Sequence, residues 1–284
     1  MNIISRTAIG VVLAVTPLGV AGAQGAEKAL AMDFRTTISI QGIPDTAVMT
    51  GHAVGSVDRM RLEVKGSSSH VIPMAGDSGV SMIVTDSGKT ITYLDPREKQ
   101  YMRVRPAEMI AKAQEKGDLK MEVSETEAKV DSLGAGPMIL GHPTTHYRVA
   151  TGMTMKVDAM GQQEVVKLSS TTDSYYANDI KGVLNPFATL SGSDMANMFG
   201  SGSPEFAKKL KAAQAKLPNR TPLRASSSAT IVAHGEARVT TTKAEVTSLQ
   251  WVDADPKSFD VPSGYTAAPL SSTADASAGA TPRK

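Results

Sequence analysis

Met32-Asp33-Phe34-Arg35-Thr36-Thr37-Ile38-Ser39-Ile40 is the stretch on which the fold turns. In an extended chain Met32, Phe34, Ile38 and Ile40 fall on one side and Asp33, Arg35, Thr37 and Ser39 on the other. A period of two predicts a strand with one oily and one wet face. Val57 to Lys65 repeats the pattern, with Asp58, Met60, Leu62 and Val64 opposed by Arg59, Arg61, Glu63 and Lys65. Strands wet on one face belong to antiparallel sheets, so the expected class is mainly β with a minor helical part.

The rest of the chain extends that reading. Val80 to Thr85, Thr90 to Leu94 and Gln100 to Arg105 are separated by Asp86-Ser87-Gly88-Lys89 and Asp95-Pro96-Arg97. Gly88 and Pro96 supply the backbone angles tight turns need, which predicts a three-stranded meander. Pro106 opens a short helix through Lys116, closed by Gly117. Strands follow over Leu119 to Val130, Thr144 to Val149, Met153 to Asp158 and the hydroxyl-rich Glu164 to Tyr176. Gly182 to Gly200 is apolar without alternation and reads as two short helical turns. Ser203-Pro204-Glu205 caps a helix to Leu217 with Phe206, Leu210, Ala213 and Leu217 on one stripe, and Pro218 stops it. Two long strands, Leu223 to Ala233 and Glu236 to Leu249, turn at His234-Gly235. A single domain over residues 27–270 is expected, with a disordered tail from Ser271 whose small polar residues cannot pack a core.

The first 26 residues read as a cleavable secretory signal. Arg6 precedes an uncharged run from Thr7 to Val20, and cleavage fits after Ala23 or after Ala26. The run contains Pro17 and Gly19 and is shorter than the roughly 20 residues a spanning helix needs. No cysteine is present to carry a lipid anchor or a disulfide. The exported chain is therefore expected to diffuse freely and to rely on core burial for stability. Of 30 basic residues only Arg6 lies in the leader, so 29 against 28 acidic ones leaves a net charge of +1. That balance argues against nucleic acid as a partner.

Candidate chemistry is thin. Gly76-Asp77-Ser78-Gly79 resembles the nucleophile strip of trypsin-like proteases, but only His52 and His70 precede the serine, and a glycine-rich turn is the plainer reading. His142 and His146 have the spacing of helical metal ligands, yet Pro143 and Thr144-Thr145 favour extended chain, which sets the rings some 13 Å apart at ~3.3 Å per residue. The chain holds 15 methionines and only 4% aromatic residues. Methionine fills irregular apolar space, and this use is preferred over copper ligation by Met153 and Met155 or by Met195 and Met198, which no histidine adjoins. Neither a catalytic set, a metal site nor a cofactor is expected, and the chain reads as a non-enzyme.

Asp86-Ser87-Gly88-Lys89-Thr90, Tyr93-Leu94-Asp95-Pro96 and Lys99-Gln100-Tyr101 together resemble the strand, turn, strand passage of periplasmic lipoprotein carriers of the LolA type. Phe259 to Tyr265 resembles the end of that superfamily's domain, and Leu140 to Arg148 with Trp251-Val252 is similar to its uncharacterised periplasmic relatives, the domain of unknown function 4412 group. The resemblance implies a curved antiparallel sheet forming an unclosed half-barrel, short helices on its concave face, and residence in the periplasm of a Gram-negative bacterium. The implied function is binding or carriage of a lipid, an acyl chain or another hydrophobic ligand. The alternative is an envelope interaction or sensor module with the same fold and no cargo. The oily faces then nominate Phe34, Ile38, Met60, Leu62, Val64, Met153 and Met155 as lining, with Leu184, Phe187, Met195 and Phe199 as cover. The resemblance also implies an arginine inside the barrel that holds the closed state, a role it assigns to none of Arg35, Arg59 and Arg61 in particular.

Overall fold

The structure, a computed structural model, describes residues 27–65, 79–115, 119–159, 162–184, 186–187 and 203–268. The leader, His70, Gly76 to Ser78, Gly117, Met195, Met198, Phe199 and the tail from Ser271 lie outside the described residues. Among the described residues twelve strands form one sheet. They are β1 (Glu27–Ile40), β2 (Ala47–Gly55), β3 (Met60–Lys65), β4 (Val80–Thr85), β5 (Thr90–Asp95), β6 (Gln100–Val104), β7 (Leu119–Ala135), β8 (Thr144–Ala159), β9 (Gln162–Lys181), β10 (Arg220–Ala233), β11 (Glu236–Ala254) and β12 (Thr266–Ala267). The longer α-helices among the described residues are α1 (Pro106–Glu115) and α2 (Pro204–Gln214).

The order across the sheet is β12-β6-β5-β4-β3-β2-β1-β11-β10-β9-β8-β7. Two antiparallel meanders, β1 to β6 and β7 to β11, are joined in the middle by β1 pairing with β11 along its whole length. Among the described strands only the short β12 runs parallel, to β6. The outer strands β12 and β7 do not pair with each other, so the sheet is an unclosed half-barrel.

Local chemistry accounts for the turns. His234 and Gly235 both take positive φ (52° and 79°), as a two-residue hairpin loop matched to strand twist requires. Ser203 Oγ accepts a hydrogen bond from the Phe206 amide at 3.3 Å and starts α2, with Pro204 at its first position. The predicted meander is present as β4, β5 and β6.

Two expectations need correction. The strand foreseen from Val57 begins at Met60, because Ser56, Val57, Asp58 and Arg59 make the turn from β2, closed by a Ser56 amide to Arg59 carbonyl bond of 2.8 Å. Thr144 to Val149 and Met153 to Asp158 are one continuous strand, β8, since Gly152 interrupts the side-chain pattern without breaking the ladder. Strand β2 was not foreseen. Its alternation uses small residues, and at Gly51 a Cβ would overlap the Phe34 ring and lie 2.7 Å from the Glu63 carbonyl oxygen.

The free edge at β7 is protected. It carries Glu122, Glu125, Glu127, Lys129 and Asp131, and its register shifts twice, near Glu125 and near Gly134. Bulges and charges deter edge-to-edge pairing. Lys209 of α2 donates to the Thr126 carbonyl and hydroxyl at 3.1 Å each, tying the helix to this edge.

Candidate functional site

Cross-strand partners share a face, so the register defines the inner surface. Phe34 stands opposite Val246 and Gly51, and Met60, Leu62 and Val64 stand opposite Val84, Met82 and Val80. These residues close into one cluster with Met32, Ile38, Met49, Leu223 and Phe187, whose ring meets Phe34 edge-on at 6.1 Å. A second cluster lies on the other wing. There Met153 and Met155 are covered by Phe206 and Leu210 of α2 and flanked by Val123, Val157, Val166 and Leu168.

The residues expected to line a cavity are thus on the inner face but in two groups. Phe34, Ile38, Met60, Leu62, Val64 and Phe187 come together, with Leu184 half-buried at the margin. Met153 and Met155 do not join them. All the fully described ones except Leu184 are buried among protein side chains.

Between the clusters runs a belt that the sequence reading missed. Successive inner-face rows are Thr36, Ala244, Ala225, Ser174; then Ile38, Thr242, Ser227, Thr172, Val149; then Ile40, Thr240, Ala229, Ser170, Thr151. Hydroxyls pair along it, Thr172 to Ser227 at 3.0 Å and Thr151 to Ser170 at 2.9 Å. Thr36 is 0% exposed, and among the described residues its hydroxyl has no hydrogen-bond partner. An unpaired buried hydroxyl costs about 1–3 kcal/mol. The belt was hidden because β9 reads Ser169-Ser170-Thr171-Thr172-Asp173-Ser174, hydroxylated on both faces, so no alternation marks the inner one.

Burial also marks the inner face electrostatically. Desolvation, with Tyr147 beside it, pushes the Tyr176 phenol up to about 12, and desolvation raises Tyr93 as well.

The opposite face is charged. There His52 and His146 meet Asp33 and Asp173 at 2.8 Å each, while His142 ahead of β8 and His234 in the β10–β11 turn meet Asp179 and Glu164 at 2.9 Å. Asp33 also accepts from Ser248 Oγ at 2.6 Å. The trio lacks the order of a hydrolase triad, because the aspartate and not the histidine stands in the middle. Asp173 takes both a bidentate Arg148 fork at 2.9 and 3.1 Å and His146 at 2.8 Å.

Burial works to raise the Asp173 carboxyl, but the hydrogen bonds from Arg148 and His146 outweigh it and hold the group below its ordinary value. Ser248 and then His52 lower Asp33, and His142 lowers Asp179. A carboxylate depressed in the folded state stabilises above the unfolded value of about 4 and loses that contribution as pH falls through its lower folded value. Asp173→Asn is therefore expected to cost about 1 kcal/mol at pH 7 and to make the decline in stability below pH 4 shallower. Urea titrations at pH 7 and pH 3 check this, and an equal loss at both pH values contradicts it.

Among the described residues no helix is long and apolar enough to cross a membrane. No family model matches the chain, and no curated protein does. A crystal structure from Vibrio parahaemolyticus, provisionally described as an outer membrane lipoprotein-sorting protein domain, is similar with a TM-score of 0.29 and 8% identity, over 82% of this chain and 89% of that one.

Proposed function

We propose that the protein is a non-enzymatic binding or carrier protein of the bacterial periplasm, exported by its leader, that shelters a lipid, an acyl chain or another amphiphile on the inner face of the half-barrel. The observation that carries this reading is the hydroxyl belt beside the apolar cluster around Phe34. A wholly apolar cargo needs no such belt, and a closed core gains nothing from Thr36, whose buried hydroxyl has no partner among the described residues. The acyl part replaces contacts among Phe34, Met60, Leu62 and Phe187, and the polar part meets Thr36, Ser174 and Thr242. Methionines at 32, 49, 60 and 82 give that cluster the adaptability that a variable cargo needs. Kinship with the LolA-type carriers and the 4412 group belongs to the same reading and rests on the motifs from Asp86 to Tyr101 and from Leu140 to Arg148.

The test is native mass spectrometry of protein purified from its exported compartment, followed by uptake of a fluorescent acyl probe. Co-purified lipid or saturable uptake is expected. Protein recovered empty that also takes up no probe defeats the reading. Thr36→Val separates site from scaffold: without the unpaired hydroxyl the empty protein is expected to gain about 1 kcal/mol, while probe binding weakens severalfold.

A second reading, an envelope interaction module, draws on exposed apolar residues gathered at one end of the sheet. Val57 in the β2–β3 turn, Leu133, Met138 and Leu140 about the β7–β8 connection, and Trp251 near the end of β11 are all about half exposed or more. Neighbouring strands carry those positions to the same end. Empty protein that captures an envelope partner through this end favours that module over the carrier.

A further inference from the structure

We propose that the charged face holds a second binding site, for a phosphate group, in a hollow of about 490 Å³ lined by Arg35, Thr37, Tyr175, Arg224, Ser226 and Lys243 with Glu245 between the cations. The register builds it. Arg35 of β1, Glu245 of β11, Arg224 of β10 and Tyr175 of β9 are successive neighbours in one cross-strand row. Thr37, Lys243 and Ser226 form the next row on the same face. Strand spacing sets Arg35 and Arg224 about 10 Å apart, and Lys243 stands about 7 Å along from Glu245. Two guanidinium-bearing side chains and a lysine thus line one small volume.

The charge there is not neutralised. Asp33 is taken by His52 and Ser248, and Asp173, next to Ser226, by Arg148 and His146. From β2 the neighbours of Arg35 and Thr37 are Thr50 and Val48, which carry no charge. Glu245 reaches Arg224 only loosely, at 3.7 Å. Arg35 and Lys243 have no carboxylate partner among the described residues. Three cations against one carboxylate leave +2, which matches a phosphate dianion, and planar guanidinium groups suit its oxygens. Thr37, Ser226 and the Tyr175 phenol add donors, and the Tyr175 ring is fixed by stacking on His146 at 4.5 Å. The volume lies within the range of small-ligand pockets.

The phosphate can be free or part of a lipid headgroup. Isothermal titration of the purified protein with inorganic phosphate at low salt, alongside flotation with phosphatidylglycerol or phosphatidylcholine vesicles, distinguishes the sources. Saturable phosphate binding is expected to fall as salt rises, to drop at least tenfold in the Arg35→Gln, Lys243→Gln double variant and to tighten severalfold in Glu245→Gln. Flotation with phosphatidylglycerol that phosphate displaces and the double variant loses assigns the site to a headgroup. Phosphate binding with no flotation assigns it to a soluble phosphate. Absence of both, or either one unchanged in the double variant, overturns the proposal. Acyl-probe uptake by the same double variant stays at the parent level, so failure here is distinct from failure of the inner-face reading.

Discussion

Phe34→Ala is expected to cost about 3–5 kcal/mol, the usual range for truncating a fully buried phenylalanine. Phe34 is 1% exposed, faces Phe187 edge-on, and lies over Gly51, whose missing side chain makes room for the ring. Gly51→Ala is expected to cost about 1–3 kcal/mol by overpacking. The two losses are coupled. With the ring gone, the alanine methyl meets only the Glu63 carbonyl side of its site, so Gly51→Ala is expected to cost clearly less in the Phe34→Ala background. Urea unfolding of the two single variants and the double variant gives the coupling directly, and additive losses rule out the contact as the reason for glycine at 51.

The same pair of residues shows what could be read in advance. Phe34 announced itself, because Met32, Phe34, Ile38 and Ile40 alternate with charged and hydroxyl residues and the contrast is large. Gly51 did not, because Ala47-Val48-Met49-Thr50-Gly51-His52-Ala53 alternates mainly in size, and size alternation has meaning only once Phe34 and Leu62 are known to lie opposite. The meander from Val80 to Val104 was legible from its turn residues, which act locally. The pairing of β1 with β11 was not, since more than 180 residues separate the strands and no local signal carries a long-range register. The same limit governs the site: a cluster that unites Phe34, Met60 and Phe187 but leaves out Met153 depends on strand order, as does the meeting of Arg35, Lys243 and Arg224 on the charged face.

Strand order also bears on how the molecule comes apart. Phe206 is 0% exposed and Leu210 8%, and both press on Met153 and Met155 in a cluster that shares no buried residue with the one around Phe34. The hydroxyl belt along β9, β10 and β11 separates them. Hydroxyl rows transmit packing strain poorly because small side chains interlock little. Phe206→Ala is therefore expected to cost about 3–5 kcal/mol locally, releasing α2 from β7 and β8 while the β1 to β4 body stays folded. Hydrogen exchange is the measurement: amides of α2 and of β8 around Met153 and Met155 speed up, and those of β1 and β3 keep their protection. Acceleration spread evenly over the sheet means one cooperative unit and refutes the division. Acyl-probe uptake in the same variant carries the point to function. If the cargo binds among Phe34, Met60 and Leu62, uptake survives the loss of α2 packing; if uptake disappears with Phe206, the cargo seat is the Met153 wing instead.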